Sequence, residues 1–131
     1  MGEMTYERLR KVQADEREGS ALTRLPPDFY ESVGKMISER RERLNSSFSL
    51  SEAKEFENTL KILRDIFALR EQKMVLRALT TAGGARESPA LAPEEKEAFD
   101  RIVAVLEERQ KWLGGCSRER KAGRGAGGQA G

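Results

Sequence analysis

The acidic side chains are the groups in this sequence most able to perform acid–base chemistry. Two clusters could supply a pair of carboxylates like that of a glycosidase. The first cluster is Glu52, Glu55 and Glu57, and the second is Glu94, Glu95 and Glu97. The second cluster directly follows Pro93, where negative charge stabilises the first turn of a helix. We therefore interpret both clusters as solvated helix faces and first turns, and not as catalytic sites.

Other catalytic and metal-binding groups are scarce, because the 131-residue chain contains no histidine and a single cysteine, Cys116. The missing histidine removes the commonest general base, the catalytic triads built on it and the usual imidazole metal ligand. One cysteine forms no internal disulfide and makes a structural zinc site implausible. The Gly-rich stretches lack the Lys-Ser/Thr of a phosphate loop. We expect no catalytic residue, cofactor or metal, and so no enzyme.

Basic residues slightly outnumber acidic ones, 24 against 22, and the net charge is +2. The excess lies in the segment after Gly114, which has almost no apolar residues whose burial could offset its ordering entropy. Its charged residues are Arg118, Glu119, Arg120, Lys121 and Arg124. We predict that residues 114–131 form a disordered Gly/Arg-rich tail or truncated linker, which could also contact nucleic acid loosely.

A second group of basic residues lies along one predicted helical segment. It comprises Arg64, Arg70, Lys73 and Arg77. These side chains could contact phosphates or the acidic side chains of a partner, or form an ordinary solvated face. Asp65 and Glu71 interrupt the group, and it lacks aromatic residues that could stack on single-stranded bases. A small helical nucleic-acid-binding protein that uses the basic tail therefore stays as an alternative function.

The rest of the sequence indicates the helices that must position these groups. Charged residues make up 35% and aromatic residues 6%, with 4 prolines, which favours charge-faced helices over a β-sandwich or barrel. Apolar spacing predicts helices over about residues 4–18 and 27–44. A capping box from Ser49 to Glu52 begins a third helix that stops at Gly83, and Pro93 begins a fourth that stops at Gly114. We predict an all-α, four-helix bundle-like domain over residues 1–113.

Each predicted helix has an apolar stripe that should face the core. These residues are Tyr6, Leu9, Val12, Phe29, Val33, Met36, Ile37, Leu44, Ala53, Phe56, Leu60, Ile62, Leu63, Ile66, Phe67, Leu69, Met74, Leu76, Leu79, Phe99, Ile102, Val103, Leu106 and Leu113. At about 30 residues the third helix would be roughly 45 Å long. Since this exceeds the width of a small domain, we expect part of the third helix to project.

The most distinctive local run is LPPDFY at residues 25–30. Its prolines form a rigid corner, and two adjacent aromatic residues follow at the start of the second helix. Because neighbouring helical residues point in different directions, only one of the two can face the core squarely. Phe29 is the candidate for the core. Tyr30 could dock another helix or a partner, unless both rings simply pack around the corner.

No apolar run approaches the ~20 residues of a membrane-spanning helix. The first residues, MGEMTYERLRK, also lack the apolar core of a signal peptide. We therefore expect no membrane contact and a cytoplasmic location.

Two motifs in this order resemble those of archaeal GINS subunits. In the helical domain of that family, a Leu-Pro-x-Asp-Phe-Tyr run opens the second helix, as LPPDFY does here. An Arg-Glu-x-Lys segment like REQK at residues 70–73 lies in a long third helix. The resemblance covers most of residues 4–113.

The resemblance implies a non-catalytic scaffold in DNA replication, located at the nucleoid. Its expected partners are other GINS subunits, in a homotetramer or a 2:2 heterotetramer, together with the MCM helicase and a RecJ-like protein. DNA would be contacted only indirectly or weakly. Docking of the helical domain would bridge and activate the helicase. Our candidate protein-interface residues are Phe29, Tyr30, Arg70, Lys73 and Arg77.

One feature departs from the family pattern. Family members with the helical domain first continue through a linker into a small β domain, and the Gly/Arg segment lies where that linker would be. We expect a truncated sequence, a shortened gene or a dispensable small domain. Family contacts assigned to the β domain, including those to a RecJ-like protein, are not carried over to this chain.

Overall fold

The computed structural model describes the backbone of residues 3–121 and the side chains of residues 3–115. Four helices follow one another: α1 (Tyr6–Glu18), α2 (Phe29–Ser46), α3 (Leu50–Ala82) and α4 (Pro93–Lys121). No strand occurs within the described residues. The prediction of an all-α fold with a long third helix is confirmed, and at 1.5 Å per residue α3 is about 50 Å long.

The helix starts follow from local capping chemistry, with one difference from expectation. The Ser49 hydroxyl accepts a hydrogen bond of 3.3 Å from the Glu52 amide, as the capping box predicts. Helix α2, however, begins at Phe29 and not at Pro27. The Phe29 amide donates to the Pro26 carbonyl at 3.1 Å, and Asp28 has a positive φ of 57°. These values describe a turn of type II geometry, which keeps Pro27 and Asp28 outside the helix.

The expected end of α4 at Gly114-Gly115 is wrong, because the helix continues through both glycines to Lys121. Glycine lowers helix propensity by only about 1 kcal/mol per residue, which is not enough to end an established helix. Residues 114–121 of the expected disordered tail are therefore helical. The rest of that tail, residues 122–131, lies outside the described residues.

Helix α1 runs parallel to α3. Gln13 of α1 donates to the Asp65 carboxylate at 2.9 Å. About one turn further along both helices, Glu16 accepts from Arg70 at 2.8 Å. The contacts thus advance in the same direction on both helices.

Helix α2 runs antiparallel to α3. At its start, Tyr30 shares the Glu95 carboxylate with Arg70, so Tyr30 lies level with the middle of α3. Ten residues later, Arg40 donates to the Thr59 hydroxyl at 3.3 Å. Helix α2 therefore returns along the first half of α3.

Helix α4 runs parallel to the second half of α3. The α3–α4 loop first returns along α3, because Arg77 donates to the Glu87 carbonyl and Arg70 donates to the Ala90 carbonyl. Helix α4 consequently starts level with Arg70, where its Glu95 is ion-paired. The two helices then share a core of Met74, Ala78, Phe99 and Val103, with Ala82, Ile102 and Leu106 packed against it.

The fold therefore has two hydrophobic cores, which lie one after the other along α3. The first lies between α1, α2 and the first half of α3, and contains Met4, Leu9, Val12, Phe29, Val33, Met36, Ile62 and Ile66. The second is the α3–α4 core, against which Leu22 of the α1–α2 loop also packs. Arg70 lies at the level where one core gives way to the other, close to the end of α1 and the starts of α2 and α4.

The expected core stripe of α3 is partly wrong. Its buried residues are Thr59, Ile62, Ile66, Arg70, Lys73, Met74 and Ala78. By contrast, Phe67, Leu76 and Leu79 are 52%, 61% and 47% exposed. The predicted stripe counted only apolar residues. The buried residues in the second half of α3 include the charged Arg70 and Lys73, so the observed buried face is rotated around the helix relative to the predicted one.

The expected overhang belongs to α4 and not to α3. Leu106 is the last described α4 residue that packs against the α3–α4 core, and α3 ends at Ala82. Residues 107–113 are all exposed, and Leu113, which was expected in the core, is 62% exposed. The end of α4 therefore projects beyond the two cores.

Candidate functional site

A buried network of charged side chains joins all four helices at the middle of α3. Arg70 is its centre and is only 1% exposed. Its guanidinium has five N–H donors, and each one has an acceptor. The acceptors are both Glu95 oxygens (2.7 and 2.8 Å), Glu16 Oε1 (2.8 Å), the Thr23 carbonyl (2.7 Å) and the Ala90 carbonyl (3.0 Å).

Lys73, one turn further along α3, completes the network on the side of α1. Its ammonium donates to Glu16 Oε2 at 2.8 Å, to the Glu16 carbonyl and to the Ala21 carbonyl at 3.0 Å. The Glu16 carbonyl belongs to the last turn of α1, where main-chain acceptors have no partner within the helix. Lys73 therefore caps the C-terminal end of α1 and neutralises part of the charge of Glu16.

The two carboxylates are held in their charged form. Burial raises the pKa of Glu16, but hydrogen bonds from Lys73, Thr23 and Arg70 outweigh this effect and lower its pKa below the ordinary value. Burial likewise raises the pKa of Glu95, whereas bonds from Arg70 and Tyr30 lower it more. Two carboxylates balance two cations, so the network is formally neutral.

Glu95 also fixes the start of α4. Its Oε1 accepts a hydrogen bond of 2.9 Å from the Ala92 amide, which precedes the first residue of the helix. This is the carboxylate half of a capping box, without a capping hydroxyl at Ala92. The Glu95 side chain therefore both stabilises the first turn of α4 and pairs with Arg70.

Tyr30 connects α2 to this network. Its hydroxyl donates to Glu95 Oε2 at 2.6 Å, and its ring meets that of Phe29 edge to face with centroids 5.2 Å apart. Burial and the neighbouring Glu95 carboxylate raise the pKa of Tyr30 well above its ordinary value. Tyr30 is thus held as a neutral donor, and a role as proton acceptor near neutral pH is disfavoured.

The geometry describes a structural junction and offers no reactive group. Every charged atom of Arg70 and Lys73 has partners, and the two carboxylates are occupied by these cations. Within residues 3–115, no group of three or more His, Cys, Asp or Glu side chains could hold a metal ion. None of the described helices is both long and apolar enough to span a bilayer.

Comparison with protein families gives this architecture an identity. Residues 3–114 match the model of the Sld5 family, described as the GINS complex protein helical bundle domain. The chain belongs to this family. A search of curated proteins found no match to the chain. As a GINS protein, the chain is a component of a DNA replication complex, which implies assembly with other GINS subunits and a non-catalytic role.

The five candidate interface residues of this GINS domain fall into two groups, three that are buried and two that are partly exposed. The expected surface positions of Arg70 and Lys73 are wrong, because these residues are 1% and 9% exposed, whereas Phe29 is 3% exposed, as predicted for the core residue of the pair. Burial follows from their places in the first core and in the network. Tyr30 is half-buried, and Arg77 is partly exposed and bonded to the Glu87 carbonyl.

Arg70 and Lys73 point into the GINS domain, so the basic group of α3 does not form a continuous surface. This weakens the alternative of a nucleic-acid-binding helix. Sequence reasoning also missed Glu16 and Glu95, the partners of these cations. One signal was present: Arg70 follows Ile66 by four residues and so continues the buried line of α3.

Proposed function

We propose that this chain is a non-catalytic subunit of an archaeal GINS complex, of the type with the helical domain first. It scaffolds and activates the MCM replicative helicase through helix–helix interfaces. Family membership supports the complex. The observation that carries the interface proposal is the set of large apolar side chains that the two long helices expose.

The first exposed group lies near the end of α3. Val75, Leu76 and Leu79 are 45%, 61% and 47% exposed, and their spacing places them on one face of the helix. This face lies to one side of the buried line of Ile66 and Lys73. Contiguous apolar surface on a soluble domain is typical of a protein–protein interface.

The second exposed group lies on the projecting part of α4. Trp112 and Leu113 are 67% and 62% exposed, and Val105, two turns earlier, is 62% exposed. A tryptophan can bury about 150–250 Å² in a contact and is enriched among residues that dominate binding energy. A neighbouring subunit that covers this segment would bury these side chains and replace the missing contact with α3.

In this proposal the buried network acts indirectly. Arg70 and Lys73 hold α1, α3 and α4 at fixed positions, so that the two exposed groups keep a constant separation. Phe29 supports the same arrangement from the first core. Tyr30 and Arg77 stay candidates for direct contacts, because part of each side chain reaches the surface.

Light scattering of the purified chain over a range of concentrations tests the assembly. We expect a mass near four times 14.7 kDa for a homotetramer. Leu76→Glu and Trp112→Glu should lower the mass, whereas Asn58→Asp and Gln110→Glu should leave it unchanged. A monomer at every concentration would contradict self-assembly and make the 2:2 complex with a paralogous subunit the next assembly to measure.

A helicase assay tests the activation step. DNA unwinding by purified archaeal MCM should rise when the assembled GINS complex is added. Unchanged unwinding together with no co-migration on a sizing column would contradict the helicase role, even if the chain assembles. The same co-migration experiment also tests a RecJ-like protein, although the family contacts to it that involve the β domain are not carried over to this chain.

A further inference from the structure

A groove of about 280 Å³ opens over the network, between the start of α2, the middle of α3 and the start of α4. Its walls include the Tyr30, Phe67, Met74 and Ala98 side chains. Arg70 and Glu95 lie at its base and are occupied with each other. The base is therefore polar but already satisfied, and the walls are largely apolar.

Phe67 is the unusual wall residue. Its spacing on α3 places it among residues that should face the core, yet it is 52% exposed. Its neighbour in the groove, Met74, is 6% exposed and belongs to the α3–α4 core. The apolar surface of that core thus continues outward through Phe67, where no described part of the chain covers it.

The rim of the groove is acidic. Glu71 and Glu94 line it from α3 and α4, and both are exposed. Neither forms an ion pair with a described residue. The only basic residue that lines the groove is Arg70, whose charge is taken up by Glu16 and Glu95. An occupant would consequently meet two unbalanced negative charges beside an apolar floor.

We propose that this groove binds a short basic segment of another protein through one aromatic or large aliphatic side chain. That side chain packs against Phe67 and Met74, and flanking Lys or Arg residues pair with Glu71 and Glu94. The volume of about 280 Å³ is large enough for one large side chain. Glu71 of the groove is one turn before Val75 of the first exposed group, but the two tests use different substitutions, Phe67→Ala here and Leu76→Glu or Trp112→Glu there, so either proposal can fail alone.

Random peptides displayed on phage and panned against the intact chain test this proposal. We expect enriched peptides to combine an aromatic or Leu anchor with nearby Lys or Arg. In fluorescence anisotropy with an enriched peptide, Phe67→Ala should weaken binding by about tenfold or more. Glu71→Lys and Glu94→Lys should each weaken it several-fold and reduce its dependence on salt.

Matched controls separate the groove from general surface effects. Phe48→Ala removes an exposed aromatic residue elsewhere, and Glu107→Lys makes the same charge change further along α4; neither should alter peptide affinity. The proposal is overturned if no peptide is enriched, if enriched peptides are acidic, or if they bind Phe67→Ala or Glu94→Lys as tightly as the parent. Self-association that Phe67→Ala abolishes would identify a second copy as the occupant and also overturn it.

Discussion

The Arg70 guanidinium and the Glu95 carboxylate form a two-bond ion pair inside the domain, with Nε to Oε2 at 2.7 Å and Nη2 to Oε1 at 2.8 Å. The two residues are 25 positions apart in the chain, and both are buried. Parallel N–H to oxygen bonds of this kind fix orientation as well as distance. Arg70 therefore sets where α4 begins along α3, which in turn places the projecting end of α4.

Replacement of Arg70 should be strongly destabilising. Arg70→Met leaves Glu16 and Glu95 buried without their main partner, which typically costs about 3–5 kcal/mol. Arg70→Lys should recover only part of this lost stability, because an ammonium has three donors where the guanidinium has five.

Urea unfolding followed by circular dichroism measures the change in the free energy of unfolding. Arg64→Met, at an exposed position of the same helix, should change the free energy of unfolding by less than about 0.5 kcal/mol. A loss below about 1 kcal/mol for Arg70→Met would contradict a central role for Arg70.

The lowered pKa values of Glu16 and Glu95 predict loss of stability in acid. Both carboxylates bind protons more weakly in the folded chain than in the unfolded chain. Their contribution is thus complete above the ordinary carboxyl pKa and is lost as the pH falls through the lower folded values. Melting temperatures between neutral pH and about pH 3 should fall most steeply in the acid part of that range.

A neutral variant checks the source of this acid sensitivity. Glu95→Gln should be less stable than the parent at pH 7, and the gap between the two should narrow towards acid. The matched variant Glu57→Gln, at an exposed position of α3, should follow the parent curve. Parallel curves for Glu95→Gln and the parent would assign the acid loss to other groups.

The Tyr30 hydroxyl should contribute to stability separately from its ring. Tyr30→Phe keeps the edge-to-face contact with Phe29 but removes the 2.6 Å bond to Glu95. A hydrogen bond to a charged group contributes about 1.5–3 kcal/mol, so denaturant unfolding should show a loss of that order. Tyr6→Phe should cost less, because the Tyr6 hydroxyl donates to no described residue. Equal losses for the two variants would show that the bond to Glu95 adds nothing.

Two glycines should respond in opposite directions to alanine. A Cβ at Gly34, inside α2, would meet no atom within 4 Å, so Gly34→Ala should stabilise the chain by about 0.5–1 kcal/mol. Gly84 has a φ of +114°, which alanine adopts only with strain. Gly84→Ala should therefore destabilise the chain. Thermal unfolding of both variants measures the pair, and a destabilised Gly34→Ala would point to a contact at α2 that requires glycine.

Much of the fold could be read from local patterns in the sequence. The all-α class, the Ser49 cap and the long α3 follow from composition, capping chemistry and hydrophobic spacing, which act within a few residues of each other. The end of α4 was misjudged because two adjacent glycines lower helix propensity without preventing a helix. The start of α2 was misjudged because a Pro-Asp turn and a helical first turn look alike in sequence.

The site depended on contacts that no local pattern contains. Periodicity assigned Arg70 and Lys73 to the surface, since a charged residue is rarely buried unless it is paired. Their partner Glu16 is 54 residues from Arg70 along the chain, and only the packing of α1 beside α3 brings the two together. The sequence by itself determined which segments are helical and which residues are apolar. The tertiary structure decided which charges are buried and which apolar faces stay open, because both depend on the neighbour that each helix face meets.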